Sequence, residues 1–309
     1  TASPPVGSVY PALAYDAAFN RYLLVYASGA AQSSLKTYAR YYSWDMIPLG
    51  SAQPLSTSED QYSSGNDSLP SAAFASDGSA LVSWPEFDGV NPNTTWVRRL
   101  SPAGVPTGGM IQLSSDGYPW KSSSIAYDPG SNKFFVVYDE NPVDRHLIKG
   151  KLISPGTGES AAFTVAEDPN PQVAVDYTEP QVVYGDGSYL VIYVTSLGDV
   201  RVQKVSVTGT LLGSSIPIAE DGSYSSPSLA YDADNKRYLA AWTKSGNFMS
   251  VEGAILASDG SLIEGPFPVS PGMGGNEQSP QVVYSQREGL FIASWARIDN
   301  LATDYYQQK

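Results

Sequence analysis

One phrase, two short apolar runs around a polar turn, recurs six times in this 309-residue chain. Its copies are YPALAYDAAFNRYLLVY, LPSAAFASDGSALVSW, SSSIAYDPGSNKFFVVY, EPQVVYGDGSYLVIY, SPSLAYDADNKRYLAAW and SPQVVYSQREGLFIASW. The aromatic closing the first run falls at Tyr15, Phe74, Tyr127, Tyr184, Tyr231 and Tyr284, at intervals of 59, 53, 57, 47 and 53 residues. A second aromatic follows nine to eleven residues later, at Tyr26, Trp84, Tyr138, Tyr193, Trp242 and Trp295. Such a period marks a repeat architecture, in which one unit cannot bury its apolar faces alone and stacked neighbours can.

Each phrase reads as two strands and a tight turn. Ser228–Tyr231 and Tyr238–Trp242 are short, apolar and rich in β-formers. Between such runs lie residues that tolerate positive φ or bond their own backbone, including the recurrent Asp16, Asp128 and Asp232. These aspartates read as turn residues rather than Ca²⁺ ligands, because no D-x-D-x-D-G spacing surrounds them. A third strand is expected at Leu147–Ile153, Val200–Val207 and Val251–Ala257, ending in SPGTG, SVTG or ASDG. A fourth is expected at Met110–Leu113, Phe163–Ala166, Ile216–Ala219 and Phe267–Val269. No segment shows a helical period.

Four antiparallel strands per unit of about 50 residues, six times over, define an all-β chain, a six-bladed β-propeller. The repeats resemble the blades of six-bladed β-propellers in secreted microbial proteins, across essentially the whole chain and without the signature of one named family. The Gly-Gly pair of kelch repeats is missing at the expected place, no strand is read as ending in Trp-Asp, ASDGSALVSW does not match the sialidase-type Asp box, and a pair of β-sandwiches is the runner-up. The single domain, residues 1–309, divides into blades of roughly 9–58, 69–115, 122–168, 179–220, 226–270 and 279–309, with an N-terminal stub at 1–8. The last blade is expected to be incomplete, since one strand at most, Asp304–Lys309, follows Trp295 and its loop. Three solutions are open: an irregular edge from the stub, a longer natural chain, or strand exchange with a neighbouring subunit.

Composition removes several chemistries. The chain has no Cys and one His, His146, which excludes thiolate catalysis, Cys-ligated metals and multi-His sites. Its formal net charge of −13 argues against nucleic acid and anionic membranes. No apolar run has the length of a membrane span. The opening TASPPVGS reads as a processed N-terminus, and few lysines with many Ser and Tyr suggest an extracellular or cell-surface protein.

The second-to-third-strand loops and the inter-blade connections share one end of a propeller, and here they are long and varied. Long loops on a rigid scaffold are where binding concentrates. The connections repeatedly set acids beside aromatics: Glu59, Asp60 and Tyr62; Asp116, Tyr118 and Trp120; Asp168 and Tyr177; Glu220, Asp221 and Tyr224. An aromatic plate with nearby carboxylates suits a sugar. Asp60, Tyr62, Asp116, Tyr118, Trp120, Asp168, Tyr177, Asp221 and Tyr224 are therefore the candidate ligand-binding residues, against the simpler reading that they cover blade seams and solvate the rim. His146 reads as a solvated loop residue. Asn66 and Asn93 head N-glycosylation sequons on the same loops.

No catalytic or metal-binding constellation is evident, and no cofactor is expected beyond Ca²⁺ at the acid-rich connections. The main expectation is an extracellular, non-enzymatic binding or structural module, a subunit of a surface assembly with a protein or glycan partner. One alternative is a glycan-binding lectin. The other is a polysaccharide-directed hydrolase using paired carboxylates, with Asp88, Glu140 and Asp299 as candidates.

Overall fold

A computed structural model describes residues 9–29, 35–56, 70–86, 94–115, 122–142, 146–167, 175–272, 275–299 and 302–308. The protein is an all-β, six-bladed β-propeller, with 23 strands and no helix among the described residues. Blade 1 contains β1 (Val9–Asp16), β2 (Arg21–Gly29), β3 (Leu35–Ser43) and β4 (Pro48–Pro54). Blade 2 contains β5 (Ser71–Phe74), β6 (Ala80–Glu86), β7 (Thr94–Leu100) and β8 (Pro106–Ser115). Blade 3 contains β9 (Ser123–Asp128), β10 (Lys133–Glu140), β11 (Leu147–Ile153) and β12 (Phe163–Ala166). Blade 4 contains β13 (Tyr177–Gly185), β14 (Ser188–Thr195), β15 (Val200–Ser206) and β16 (Ile216–Ala219). Blade 5 contains β17 (Tyr224–Asp232), β18 (Arg237–Lys244), β19 (Ser250–Ala257) and β20 (Leu262–Pro268). Blade 6 has three strands, β21 (Asn276–Ser285), β22 (Leu290–Asp299) and β23 (Ala302–Gln308). Every sheet is ordered as the chain runs.

The chain forms two compact units, Thr1–Asp144 with Lys149–Phe163, and Arg145–Ile148 with Thr164–Lys309. In the first, Leu23, Val25, Ala39 and Tyr41 of blade 1 pack on Ala80, Val82 and Trp84 of blade 2. Leu81 and Val97 of blade 2 pack in turn on Ile125, Phe134 and Val136 of blade 3. In the second unit, Leu190, Ile192 and Val202 of blade 4 meet Leu229, Tyr238 and Trp242 of blade 5. Ala241 and Val251 of blade 5 meet Val282 and Trp295 of blade 6. The strands β10, β14 and β18 are nearly all buried because both sheet faces are covered, which is why they read as continuous apolar runs. Each fully buried Leu, Val or Phe in these seams contributes about 1.5–3 kcal/mol.

The aspartates that close the first strands sit in the hairpin turns. Asp16, Asp128 and Asp232 are buried and accept backbone N–H groups two and three residues on. Asp16 also holds Arg21 Nε at 2.8 Å, and Asp232 holds Arg237 Nε at 2.9 Å. Burial alone would raise the pKa of Asp232, but hydrogen bonds from Asn235, Arg237 and Tyr284 outweigh it and hold the carboxyl well below the usual range.

A second device ties neighbouring blades. The residue two before the end of a third strand reaches a carbonyl in the next blade's outer turn. Tyr41 Oη donates to Ser101 O at 3.4 Å, and Lys204 Nζ donates to Ser258 O at 2.8 Å. Arg99, the penultimate residue of β7, donates to Ser154 O at 2.8 Å and Gly158 O at 3.1 Å.

Candidate functional site

The inner strands of the second unit share one distortion. Beta-13, β17 and β21 each carry a bulge, and in each a residue at positive φ precedes proline: Glu179–Pro180, Ser226–Pro227 and Ser279–Pro280. The φ values are 55°, 51° and 55°, in the left-handed region that a non-glycine residue occupies at a cost of about 1–3 kcal/mol. The extra residue leaves a backbone N–H outside the ladder. Side chains recapture two of these groups: Ser226 N–H donates to Glu179 Oε2, and Ser279 N–H donates to Thr243 Oγ1 at 2.9 Å. These bulges carry one carboxylate, Glu179, among serines, so they do not assemble a carboxylate pair.

Two carboxyl groups do line a single cleft of the second unit. A cleft of about 550 Å³ lies along blade 4, bounded by the end of β12, the start of β13, β14, β15 and the chain leading into β16. Glu167, Tyr177, Tyr193, Asp199, Arg201 and Ser215 line it, with exposed Leu197 and Leu211 as its apolar rim. The Tyr177 and Tyr193 rings are tilted by 52° at a centroid separation of 5.7 Å. Tyr193 Oη and Arg201 Nε both donate to Ser215 Oγ at 2.8 Å, while Arg201 Nη1 meets Asp199 Oδ2 at 3.1 Å. Burial pushes the Tyr193 hydroxyl up to about 12, so this phenol is a donor. Asp199 is the last residue of a tight turn whose N–H also donates to Thr195 Oγ1 at 3.3 Å. The floor is thus rigid, and Glu167 and Asp199 supply two carboxyl groups from different strand ends.

Of the candidates read from sequence, Tyr177 lines this cleft. Asp221 and Tyr224 do not. Tyr224 packs edge-on against Trp242 at 6.2 Å, covers Gly222 and donates to Glu220 O at 3.2 Å, which makes it a seam residue; burial raises its pKa. Asp60, Tyr62, Asp116, Tyr118, Trp120 and Asp168 lie outside the described residues, as do Asp88, Asn66 and Asn93. Glu140 ends β10 half-buried and is not among the residues that line the cleft; Asp299 ends β22, and its side chain lies outside the described residues. His146 is not solvated as expected: it is 5% exposed, its N–H donates to Asp176 Oδ1 at 3.0 Å, and its carbonyl accepts from Tyr177 N at 3.2 Å. Among the described residues no three Asp, Glu or His side chains cluster as a metal site.

Glu167, Asp199 and Arg201 were not singled out from the sequence. Glu167 lies in an inter-blade connection already flagged as acid-rich. Asp199 and Arg201 flank the start of β15 and carry no local signature.

No family model matches this sequence, and no curated protein does. Solved structures match by fold. An ulvan lyase, named as a polysaccharide lyase bound to -[GlcA(1-4)Rha3S]-, has a TM-score of 0.60 at 11% identity, over 95% of this chain and 82% of that one. AofleA from Arthrobotrys oligospora has a TM-score of 0.57 at 11% identity, over 97% and 83%. An endo-arabinase from Bacteroides thetaiotaomicron has a TM-score of 0.49 at 12% identity, over 99% and 95%. The expectation of a non-enzymatic binding or structural module is corrected by the match to the ulvan lyase, since this architecture there carries a polysaccharide lyase.

Proposed function

We propose that the protein is a polysaccharide-directed hydrolase, with the sugar chain bound along the blade 4 cleft. The observation that carries this reading is two carboxyl groups, Glu167 and Asp199, in one cleft beside the half-buried Tyr177 ring. Tyr177 gives the apolar face of a sugar a surface to stack on, and the Ser215–Tyr193–Arg201 network holds the floor and Asp199 in place. Hydrolysis of a glycosidic bond requires a proton for the leaving oxygen and a second carboxylate to activate water or attack the sugar. The two roles fall to Glu167, at the exposed edge of the cleft, and to Asp199, oriented by Arg201. The ulvan lyase neighbour supports a polysaccharide as the substrate class. An extracellular location fits such a substrate and the absence of thiols.

The test is release of reducing ends from a panel of polysaccharides. Wild type should cleave at least one, and Asp199→Asn or Glu167→Gln should lower the rate by about 10²–10⁴. Variants as active as wild type would remove the cleft from the mechanism. Retention on a polysaccharide with no new reducing ends would replace hydrolysis by lectin-type binding.

A further inference from the structure

Six turns among the described residues share one hydrogen-bond pattern. The first residue donates to the carbonyl of the fifth, and the fourth donates back to the carbonyl of the first. They are Ser43–Ile47, Ala75–Ser79, Ser101–Val105, Thr195–Asp199, Ser206–Thr210 and Ala257–Ser261. The fourth position is left-handed in all of them. Five place glycine there, Gly78, Gly104, Gly198, Gly209 and Gly260, with φ between 79° and 89°. The sixth, joining β3 to β4, places Met46 there at φ 62°. Glycine takes this conformation without penalty and a side chain does not.

Met46 is 50% exposed, between Trp44 at 66% and Ile47 at 57%, with Leu49 exposed just beyond. At the position of Trp44 the other five turns carry Ser76, Pro102, Ser196, Val207 and Ser258. The apolar tip is also fixed in shape. Ser43 N–H meets Ile47 O at 2.9 Å, Ile47 N–H meets Ser43 Oγ at 3.0 Å, and Ser43 Oγ donates to Asp45 Oδ1 at 2.5 Å. A rigid, exposed apolar group on an otherwise polar turn marks a contact surface. Two residues beyond the turn, Leu49 shares a shallow pocket of about 70 Å³ with Arg40, Ser51 and Gln53.

We infer that the Trp44–Ile47 tip is a second sugar-binding surface, on which a neutral polysaccharide lies with a pyranose face on the indole and hydroxyls toward the Arg40–Gln53 pocket. The class of ligand rests on the polysaccharide reading above; the surface itself rests on the turn comparison. An acidic chain of net charge −13, whose tip carries Asp45 and no cation, does not favour anionic bilayers. Insertion into a zwitterionic bilayer would strip water from the Ser43–Asp45 pair, whereas a sugar lying on the indole leaves that carboxylate hydrated or accepting a hydroxyl. The combination of flat apolar surface and adjacent polar groups is what a sugar presents in complement.

The experiment is depletion binding of the full chain to insoluble neutral polysaccharides (xylan, arabinan, cellulose), comparing wild type with Trp44→Ser/Ile47→Ser and with Met46→Gly. The double variant should bind at least one of them about tenfold more weakly than wild type. Met46→Gly should melt at a higher temperature than wild type and bind more weakly, separating strain relief from surface loss. Equal binding by wild type and the double variant overturns the inference, as does wild-type association with phosphatidylcholine vesicles and with none of the polysaccharides. Cleavage without Trp44-dependent binding leaves the cleft reading standing and removes this one; Trp44-dependent binding without cleavage does the reverse.

Discussion

Gly198 and Gly222 meet backbone to backbone: Gly222 N–H donates to Gly198 O at 3.1 Å, and a Cβ on Gly198 would lie 1.9 Å from Gly222 O. Gly198 also holds φ 86° in the turn that presents Asp199. Gly198→Ala therefore breaks two requirements at once, a left-handed residue and a bare α-carbon. We expect a loss of about 1–3 kcal/mol in chemical denaturation, with polysaccharide cleavage falling as Asp199 moves. Unchanged stability would show that the two connections are free to separate.

Arg99 is nearly buried between blades 2 and 3, and burial lowers its pKa, an effect that Glu159 opposes. Its value lies in the carbonyls of Ser154 and Gly158 that it satisfies. Arg99→Leu keeps apolar bulk but strips both acceptors of a charged donor. A fall of about 2–3 kcal/mol in unfolding free energy is the expected outcome. A change within about 0.5 kcal/mol, the range of ordinary surface substitutions, would mean that water replaces the guanidinium.

Acid stability should depend on the turn aspartates. The Asp232 carboxyl is held below its ordinary value, so the folded state binds its proton later than the unfolded chain does. That contribution is present above the unfolded value of about 3.9 and is lost as pH falls through and below it. Asp232→Asn should cost about 1–3 kcal/mol at neutral pH and flatten the acid side of the stability curve. Urea midpoints measured from neutral pH down to acid would decide it; parallel curves would contradict it.

The alkaline limit has the opposite sign. Burial pushes the hydroxyls of Tyr41 and Tyr193 up to about 12 in each case, despite nearby Arg21 and Arg201. Their contribution is complete below the unfolded tyrosine value of about 10 and fades as pH rises above it. Near-ultraviolet titration of the native protein should show these two phenols silent until about pH 12. Tyr193→Phe should reduce the alkaline loss of stability, and an unaltered alkaline curve would assign that loss to other tyrosines.

Strand positions were legible because two-face burial leaves an unambiguous trace. The continuous apolar run Tyr189–Val194 and the turn aspartates define hairpins locally, and β11, β12 and β16 fall on the residues expected. The cleft was not legible. Tyr177 stood out by its acid-rich loop, but Glu167 follows a strand of blade 3 while Asp199 and Arg201 belong to blade 4, and they line one cleft only because separate sheets lie side by side, which no local pattern encodes. Tyr224 carried the same acid–aromatic signature as Tyr177 and serves packing, because Trp242 lies beneath it. His146 misled for a related reason: its loop context is polar, while its burial follows from the backbone pairing with Asp176 and Tyr177.

The bulge in β13 lies two residues from Tyr177 and so bears on the cleft that Tyr177 lines. Tyr177 and Thr178 pair with Thr195 and Val194, and pairing resumes only at Gln181 with Ile192, so two residues stand opposite one. Side chains alternate along a strand with a period of two. Deleting Glu179 would leave one residue opposite one, so Tyr177 would still face Thr195 and keep its side of the sheet, while the strand would lose its local bend. The extra residue therefore bends the strand that carries Tyr177 without taking its ring off the cleft side.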